Sequence, residues 1–475
     1  MKRKDIPMKL DYKKTVLVGF AFFLISAFWQ AYDAIIPLIL NNHFGLPQTA
    51  SGFVMSFDNI LAVFLLPLFG SLSDKVNTRF GRRTPFIVIG TVLAVVFFIV
   101  LTFIDNLQLA KLAAEGVTEI EMGAMSQEEY TALITKSALE LTMKNPLPLI
   151  LFVAVLLLVL LSMATFRSPA VALMPDVTVK PLRSKANAII NLMGTAGGII
   201  VLVFGMIFGT SKNPHMKFTF YVLAVIGVML AGLVVFILKV KEKSWSDQME
   251  EDSKAFGLVE QPEANKDESV KVGLSRPELI SLLLILSSVA LWYIGYNSIT
   301  SKYSVYASTI LGFDFNATLI IAQGAAIVSY IPVGIIASKI GRRKTILFGI
   351  VMLASAFFMG NFVSENTPEL VMMPIFILAG MGWATINVNS FPMVVELAKG
   401  GDVGKYTGYY YTASMAAQIV APILSGLLYD LVSMRIMFFA FGSLFVGLSF
   451  ITMFFVKHGD SKPTAAEVLD AIDVD

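Results

Sequence analysis

The stretch Gly70-Ser-Leu-Ser-Asp74-Lys-Val-Asn-Thr-Arg79-Phe-Gly81-Arg82-Arg83-Thr-Pro85 joins two long apolar segments. A shorter version, Gly334-Ile-Ile-Ala-Ser338-Lys-Ile-Gly341-Arg342-Arg343-Lys344, joins two more, with Gly341 lying 260 residues after Gly81. In each copy one glycine (Gly70, Gly334) sits where two helices can approach closely, and a second (Gly81, Gly341) permits a tight turn. A short basic loop between apolar spans, repeated by half, is the pattern of a duplicated helical membrane protein. The arginines hold such loops in the cytoplasm. Asp74 is placed to bond an arginine or a helix N-terminus, forming a latch that breaks when the halves rock. Gly70, Asp74, Arg79, Gly81, Arg82, Arg83, Gly334, Gly341, Arg342 and Arg343 are therefore the candidate conformational latch. Ser338 offers no acid in the second copy, so the charged part of the latch is expected in the first half alone. The simpler alternative is that these charges only set topology.

Composition points the same way. Of 475 residues 56% are hydrophobic, the mean hydropathy is +0.74, and the apolar residues gather into runs of about 20. A net charge of +2 gives no reason to expect a nucleic-acid partner, and the absence of cysteine excludes disulfides, thiolate metal sites and cysteine nucleophiles. The first run lacks a small-residue cleavage site and is too long for a signal peptide, so it reads as a membrane helix.

Apolar windows at 15–40, 50–73, 84–106, 147–174, 186–209, 217–239, 277–303, 317–338, 344–363, 369–396, 406–430 and 435–456 predict twelve spans. With the N-terminus inside, the cytoplasmic segments hold 28 Lys and Arg and the outer segments 6. Both termini are therefore expected in the cytoplasm. The predicted organisation is a cytoplasmic N-terminus (1–14), a six-helix bundle (15–239), a cytoplasmic linker (240–276), a second six-helix bundle (277–456) and a cytoplasmic tail (457–475). Residues 107–146 read as an amphipathic extracellular insert, with Leu109, Leu112 and Ala113 and then Leu133, Ile134 and Leu139 at helix-like spacing.

These features resemble the major facilitator superfamily, whose cytoplasmic loop between helices 2 and 3 has the G-x-x-x-D-…-G-R-R pattern with an echo between helices 8 and 9. Ser73-Asp74-Lys-Val-Asn-Thr78-Arg79-Phe80-Gly81-Arg82-Arg83-Thr-Pro85-Phe86 is similar to the corresponding loop of plant and animal sucrose transporters. The extra residues before Gly81, with Ser168-Pro169-Ala-Val-Ala172-Leu173-Met-Pro-Asp176 and Ala186-Asn187-Ala188, also resemble the glycoside–pentoside–hexuronide:cation symporters. The resemblance implies an all-α integral membrane protein of twelve transmembrane helices in two six-helix bundles, both termini cytoplasmic. Val171 stands where the sucrose transporters place an arginine, and Arg167 lies one turn earlier. Ala62 and Leu66 replace the paired aspartates of the melibiose type, which argues against sodium coupling of that kind.

Ionisable residues inside spans are expensive and usually face a cavity or a partner. Asp33 and Asp58 each lie roughly 11 Å below the outer end of their spans, so two carboxylates on adjacent helices share a level. They are the candidate proton-coupling pair; the alternative is that one caps a kink or pairs with Asn59 or Lys302. Arg167 either binds substrate or joins a structural salt bridge, with Asp176 as one partner, and Lys302 is expected to snorkel to the outer surface. Trp29, Trp292 and Trp383 fall mid-span rather than in an interfacial belt, on helices that line the cavity in the superfamily. With Gln30, Asn59, Arg167, Tyr296, Asn297, Asn387, Asn389 and Gln418 they form the candidate substrate site, although packing explains any single member equally well. Aromatic faces beside amides suit a sugar, with its apolar C–H faces and rim of hydroxyls.

The expected function is a proton-coupled symporter of a disaccharide or glucoside in the inner or plasma membrane, working by alternating access as a monomer. A facilitator or exporter of another solute, and a non-transporting sugar sensor, are the alternatives. No phosphate-binding loop, metal-ligand spacing or nucleophile–base arrangement is present in the sequence, so neither cofactor, metal nor enzymatic activity is expected.

Overall fold

A computed structural model describes residues 9–256, 274–397 and 403–459. In chain order the helices are α1 (Tyr12–Leu38), α2 (Gln48–Met55), α3 (Phe57–Lys75), α4 (Thr84–Ala114), α5 (Gln127–Lys144), α6 (Leu147–Val177), α7 (Arg183–Phe208) and α8 (Thr219–Lys239). Then follow α9 (Glu242–Ala255), α10 (Arg276–Thr300), α11 (Tyr303–Val305), α12 (Phe315–Ile340), α13 (Arg342–Gly360), α14 (Met372–Val395), α15 (Val403–Leu431) and α16 (Met434–Phe454). Helix α1 ends in a π-helical turn at Ile39–His43, and α11 runs into another at Tyr306–Leu311.

Among the described residues, eleven helical stretches are long and apolar enough to cross a membrane. The remaining expected crossing corresponds to α12, which is 26 residues long. The chain is thus an all-helical, multi-pass membrane protein. Large side chains such as Phe64, Phe103, Phe220 and Leu238 are exposed on the helix surfaces, while Phe28, Phe98, Trp292 and Phe438 fill the interior. A helix apolar on every side suits lipid on one face and packing on the other.

The helices pack as two bundles. Helix α1 lies against α7 and α8, and α6 lies against α3 and α4. In the other bundle α10 lies against α15 and α16, and α14 against α12 and α13. Glycines set several of these approaches: a Cβ on Gly90 would stand 2.7 Å from the Cβ of Phe166, and one on Gly382 2.7 Å from the amide nitrogen of Leu353.

Both glycine–arginine turns lie at one end of the molecule, here termed the loop face; residues 115–146 lie at the other, the insert face. The second span is two helices, broken at Ser56, whose hydroxyl donates to Phe53 O at 2.8 Å. The expected insert begins later than its predicted start, because α4 continues through residues 107–114 on Leu, Gln, Lys and Ala, all good helix formers. It stops at Gly116, whose φ of +73° suits glycine. Helix α5 follows behind a reciprocal Ser126–Glu129 capping box, and Leu109, Leu112, Val117 and Ala138 form a small core beneath it. Leu133, expected on the apolar face, is exposed. Of the expected linker 240–276, α9 is helical and residues 257–273 lie outside the described residues, as do 1–8 and 460–475 of the termini.

Candidate functional site

Between the bundles lies a cavity of about 820 Å³, within the range of small-molecule sites. From the first bundle α1 contributes Trp29, Gln30 and Asp33, α6 contributes Arg167, and α7 contributes Asn191 and Thr195. From the second come Tyr296 of α10, Gln323 and Tyr330 of α12, and Trp383 and Asn387 of α14. The rings of Tyr296 and Trp383 stack at 3.6 Å with an angle of 5°, giving one wall a flat aromatic surface. Opposite, the Arg167 guanidinium lies over the Trp29 ring at 5.6 Å. Gln323 Nε2 donates to Gln30 Oε1 at 2.7 Å, so a pair of amides closes the cavity between the bundles.

The two candidate carboxylates differ in setting. Asp33 lines the cavity, whereas Asp58 lies just off it and accepts from the Asn59 backbone N–H at 2.6 Å and from its side-chain amide at 2.8 Å. Asp58 is within electrostatic reach of both Arg167 and Asp33, which links three charged groups on α1, α3 and α6.

Several expected site residues stand elsewhere. Asn59 is turned to Asp58. Trp292 is fully buried in the core, because its ring belongs to the packing face of α10 rather than the cavity face. Asn297 donates to Tyr293 O of its own helix at 2.8 Å, and Asn389 to Thr385 O at 2.9 Å. Gln418 does not line the cavity. Lys302 does not snorkel: it is completely buried, and its Nζ donates to Ser51 Oγ at 2.7 Å across the bundle interface. Asn191, Thr195, Gln323 and Tyr330 line the cavity without carrying a charge or a motif, so only their helical spacing on α7 and α12 marks them in the sequence.

At the loop face the first turn is an ionic cluster. Arg83 donates to Asp176 at 2.8 Å, Asp74 at 2.5 Å and Ser73 Oγ at 2.5 Å. Arg82 meets the same Asp176 at 2.9 Å. The buried carboxylate of Glu242, from α9, accepts the backbone N–H groups of Arg82, Arg83 and Thr84 at 2.7, 2.8 and 2.7 Å, and the Thr84 hydroxyl at 2.6 Å. It caps the N-terminus of α4 from 158 residues away. Gly81, at φ +116°, has no room for more: a Cβ would stand 2.2 Å from that carboxylate carbon. Asp176 therefore serves the turn. Arg79 is exposed and packs over Phe80 at 4.6 Å.

The second turn is simpler but not uncharged. Gly341 has φ +93°, and Arg342, buried, lies 2.9 Å from Glu396 at the end of α14. Arg343 donates to backbone carbonyls of Met453 and Phe454 at the end of α16. The acid missing at Ser338 is thus supplied from another helix, which corrects the expectation that the charged part belongs to the first half alone.

Comparison with known proteins agrees with this architecture. The profile of the Major Facilitator Superfamily matches residues 18–334 and 318–471. The chain belongs to the major facilitator superfamily. It is 28% identical over 115 residues to the MFS-type transporter ppzB of Metarhizium rileyi, covering 24% of this chain and 23% of that protein. It is 26% identical over 261 residues to the cis,cis-muconate transport protein of Acinetobacter baylyi, covering 51% and 57%. The matches thus span about a quarter and just over half of those relatives. The inward-open structure of the xylose transporter XylE from E. coli superposes with a TM-score of 0.59 at 16% identity, covering 97% of this chain and 99% of that one.

In this superfamily member the bundles meet toward the insert face. Asp430 of α15 accepts the backbone N–H groups of Gln48 and Thr49 at 2.8 and 2.7 Å and the Thr49 hydroxyl at 2.6 Å, capping α2. Gly52 lies so close to α15 that a Cβ would stand 2.0 Å from Pro422 O. Asn316 donates to Thr210 Oγ1 at 3.0 Å. The cavity lining on α6 and α7, by contrast, runs toward the loop face through Val171, Asn191 and Leu192, the first and last of which are exposed.

Proposed function

We propose that this transporter is a proton-coupled sugar symporter working by alternating access, with both termini cytoplasmic and the loop face inside the cell. Residues 15–239 and 277–456 are the two moving units and 240–276 the linker. The observation that carries the reading is the cavity wall itself. A stacked Tyr296–Trp383 platform on one bundle faces Trp29, Gln30, Asp33 and Arg167 on the other. A pyranose ring lays its C–H face on such a platform and presents its hydroxyls to the amides and charges opposite.

Asp33 and Asp58 supply the coupling. A proton on either carboxylate relieves their mutual repulsion and leaves Arg167 to the other, so the charge state of the triad changes with each proton carried. Asp33, which faces the cavity, is the group that senses substrate; Asp58, held by Asn59, is the relay. The glycine–arginine turns hold the loop-face ends of the bundles through the cycle.

The test is sugar-dependent alkalinisation of the outside medium with proteoliposomes and a panel of disaccharides and glucosides. The expected result is alkalinisation with at least one sugar, abolished in Asp33→Asn while sugar binding persists. Sugar binding with no pH change across the panel would sink symport and favour a facilitator or a sensor.

A second reading is a carboxylate-bearing solute. It is favoured by the Arg167 guanidinium over Trp29 in the cavity, and by the partial likeness to a transport protein named for cis,cis-muconate. Uptake of dicarboxylates but no sugar by the same vesicles would select it.

A further inference from the structure

Helix α5 is anchored in the first bundle but reaches the second. Its middle packs against Gly45, where a Cβ would stand 2.3 Å from the Leu139 amide nitrogen and 2.4 Å from Thr135 O. Gln108 of α4 donates to Thr142 at 3.1 Å and to His43 O at 3.0 Å. That end is therefore rooted on α1 and α4.

The other end crosses the interface. Gln127 Nε2 donates to Ser308 O at 3.2 Å, Thr131 Oγ1 donates to Thr309 O at 3.1 Å, and the Gln127 backbone N–H points to Glu365 at 3.3 Å. Ser308 and Thr309 occupy the last turn of the π-helical segment, and the chain turns away at Gly312, φ +72°. Carbonyls in a last helical turn have no partner further along the helix. Here α5 supplies the donors, and the first turn of α5 in return places its unpaired N–H beside a carboxylate of the second bundle.

We propose that α5 is a strap that fastens the two bundles together at the insert face, so that opening this face requires α5 to release the Tyr306–Leu311 turn. The inference rests on the alternating-access reading and adds to it a part outside the cavity. The two side-chain strap bonds are neutral and the one to Glu365 is long at 3.3 Å, so they are weak enough to break in each cycle. They share the insert face with the Asp430 and Lys302 contacts to the α2 end of the first bundle, so both sets close that face.

The chain has no cysteine, so introduced pairs carry the only labels. Spin labels at Leu107→Cys and Leu370→Cys, both exposed near the insert face, report the separation of the bundles by electron–electron distance measurement. Adding Gln127→Ala with Thr131→Val is expected to raise the ratio of open to closed molecules about thirtyfold, as the loss of two hydrogen bonds implies. A Lys302→Met, Asp430→Ala background is the control for mobility. If that control lengthens the distance and the strap variant does not, the strap is wrong and alternating access stands. If no variant and no solute moves the labels, alternating access fails, and the strap with it. In a second arm, Thr131→Cys with Thr309→Cys is bridged by a short bis-maleimide. Arrested transport is expected, with each single-cysteine variant unaffected; full transport through the bridged protein would overturn the proposal.

Discussion

The two ends of this molecule are fastened by different chemistry. At the loop face the strong contacts do not cross between bundles: they join Arg82, Arg83, Asp74 and Asp176 of the first with Glu242 of the adjoining α9, and Arg342 with Glu396 in the second. At the insert face the contacts that join the bundles are mostly amide, hydroxyl and carbonyl groups, with one aspartate, one glutamate and one lysine. Removing one partner of a buried ionic cluster costs several kcal/mol, whereas a neutral hydrogen bond contributes about 1 kcal/mol. The difference suits a carrier: ions hold the shape of each bundle, and weaker bonds hold the bundles in one of two arrangements. Loop-face substitutions should therefore lower stability without moving the conformational balance, and insert-face substitutions should do the reverse.

The largest effect is expected from Glu242→Ala. It strands three backbone N–H groups at the start of α4 and leaves the neighbouring arginines less compensated. We expect a loss of about 3 kcal/mol, seen as a lower unfolding midpoint in detergent, with Glu242→Gln recovering part of it. A pronounced change in interbundle distance instead would break the comparison. Next, Arg83→Ala should destabilise more than Arg343→Ala, by about 2 kcal/mol, because Arg83 bonds two carboxylates whereas Arg343 bonds backbone carbonyls at the end of α16. Equal losses would mean that the two turns are mechanically alike. At the insert face Asp430→Ala should cost about 1 kcal/mol of interbundle closure, raising the open fraction roughly fivefold while the unfolding midpoint hardly moves.

The smallest effect is a titration. His215, in the loop before α8, is pushed down to about 4 by burial and by the neighbouring His43. A base depressed in the folded state gives stability that is complete above its unfolded value and is lost as pH falls from about 6.5 toward 4. Because the ring is partly solvated, the slope should amount to about 1 kcal/mol over that window after discounting for screening. His215→Gln should flatten it in pH-dependent melts. This group sits near the insert face but inside one bundle, so a matching shift in the open fraction would blur the distinction between the faces.

The bundles and the position of the two turns were legible because their signals are local; the carboxylates that fasten the turns, Glu242 and Glu396, come from distant helices and were not. Long apolar runs need no tertiary knowledge, and Gly81 and Gly341 take the positive φ that their place in a turn foretold. The insert face was not legible, because its contacts pair residues far apart in the chain: Thr49 with Asp430, Ser51 with Lys302, Thr131 with Thr309. Lys302 shows why. Its distance from a span end suggests snorkelling, but its rotation about the helix turns it to the other bundle, and rotation is what a hydropathy window averages away. The same averaging set Trp292 beside Trp383 as equals, when one fills the core and the other walls the cavity.

Gly52 and Gly426 give the insert face a property of a different kind. Each brings its backbone against the opposing bundle, at Pro422 and at Gln48, where a Cβ would fall 2.0 and 2.4 Å from a carbonyl oxygen. No hydrogen bond has to be lost to disturb such a seam; a single added methyl is enough, and it acts as a wedge. Gly52→Ala or Gly426→Ala would then behave as a doorstop, propping the carrier open on one side without altering a charge, the cavity or the proton-coupling residues.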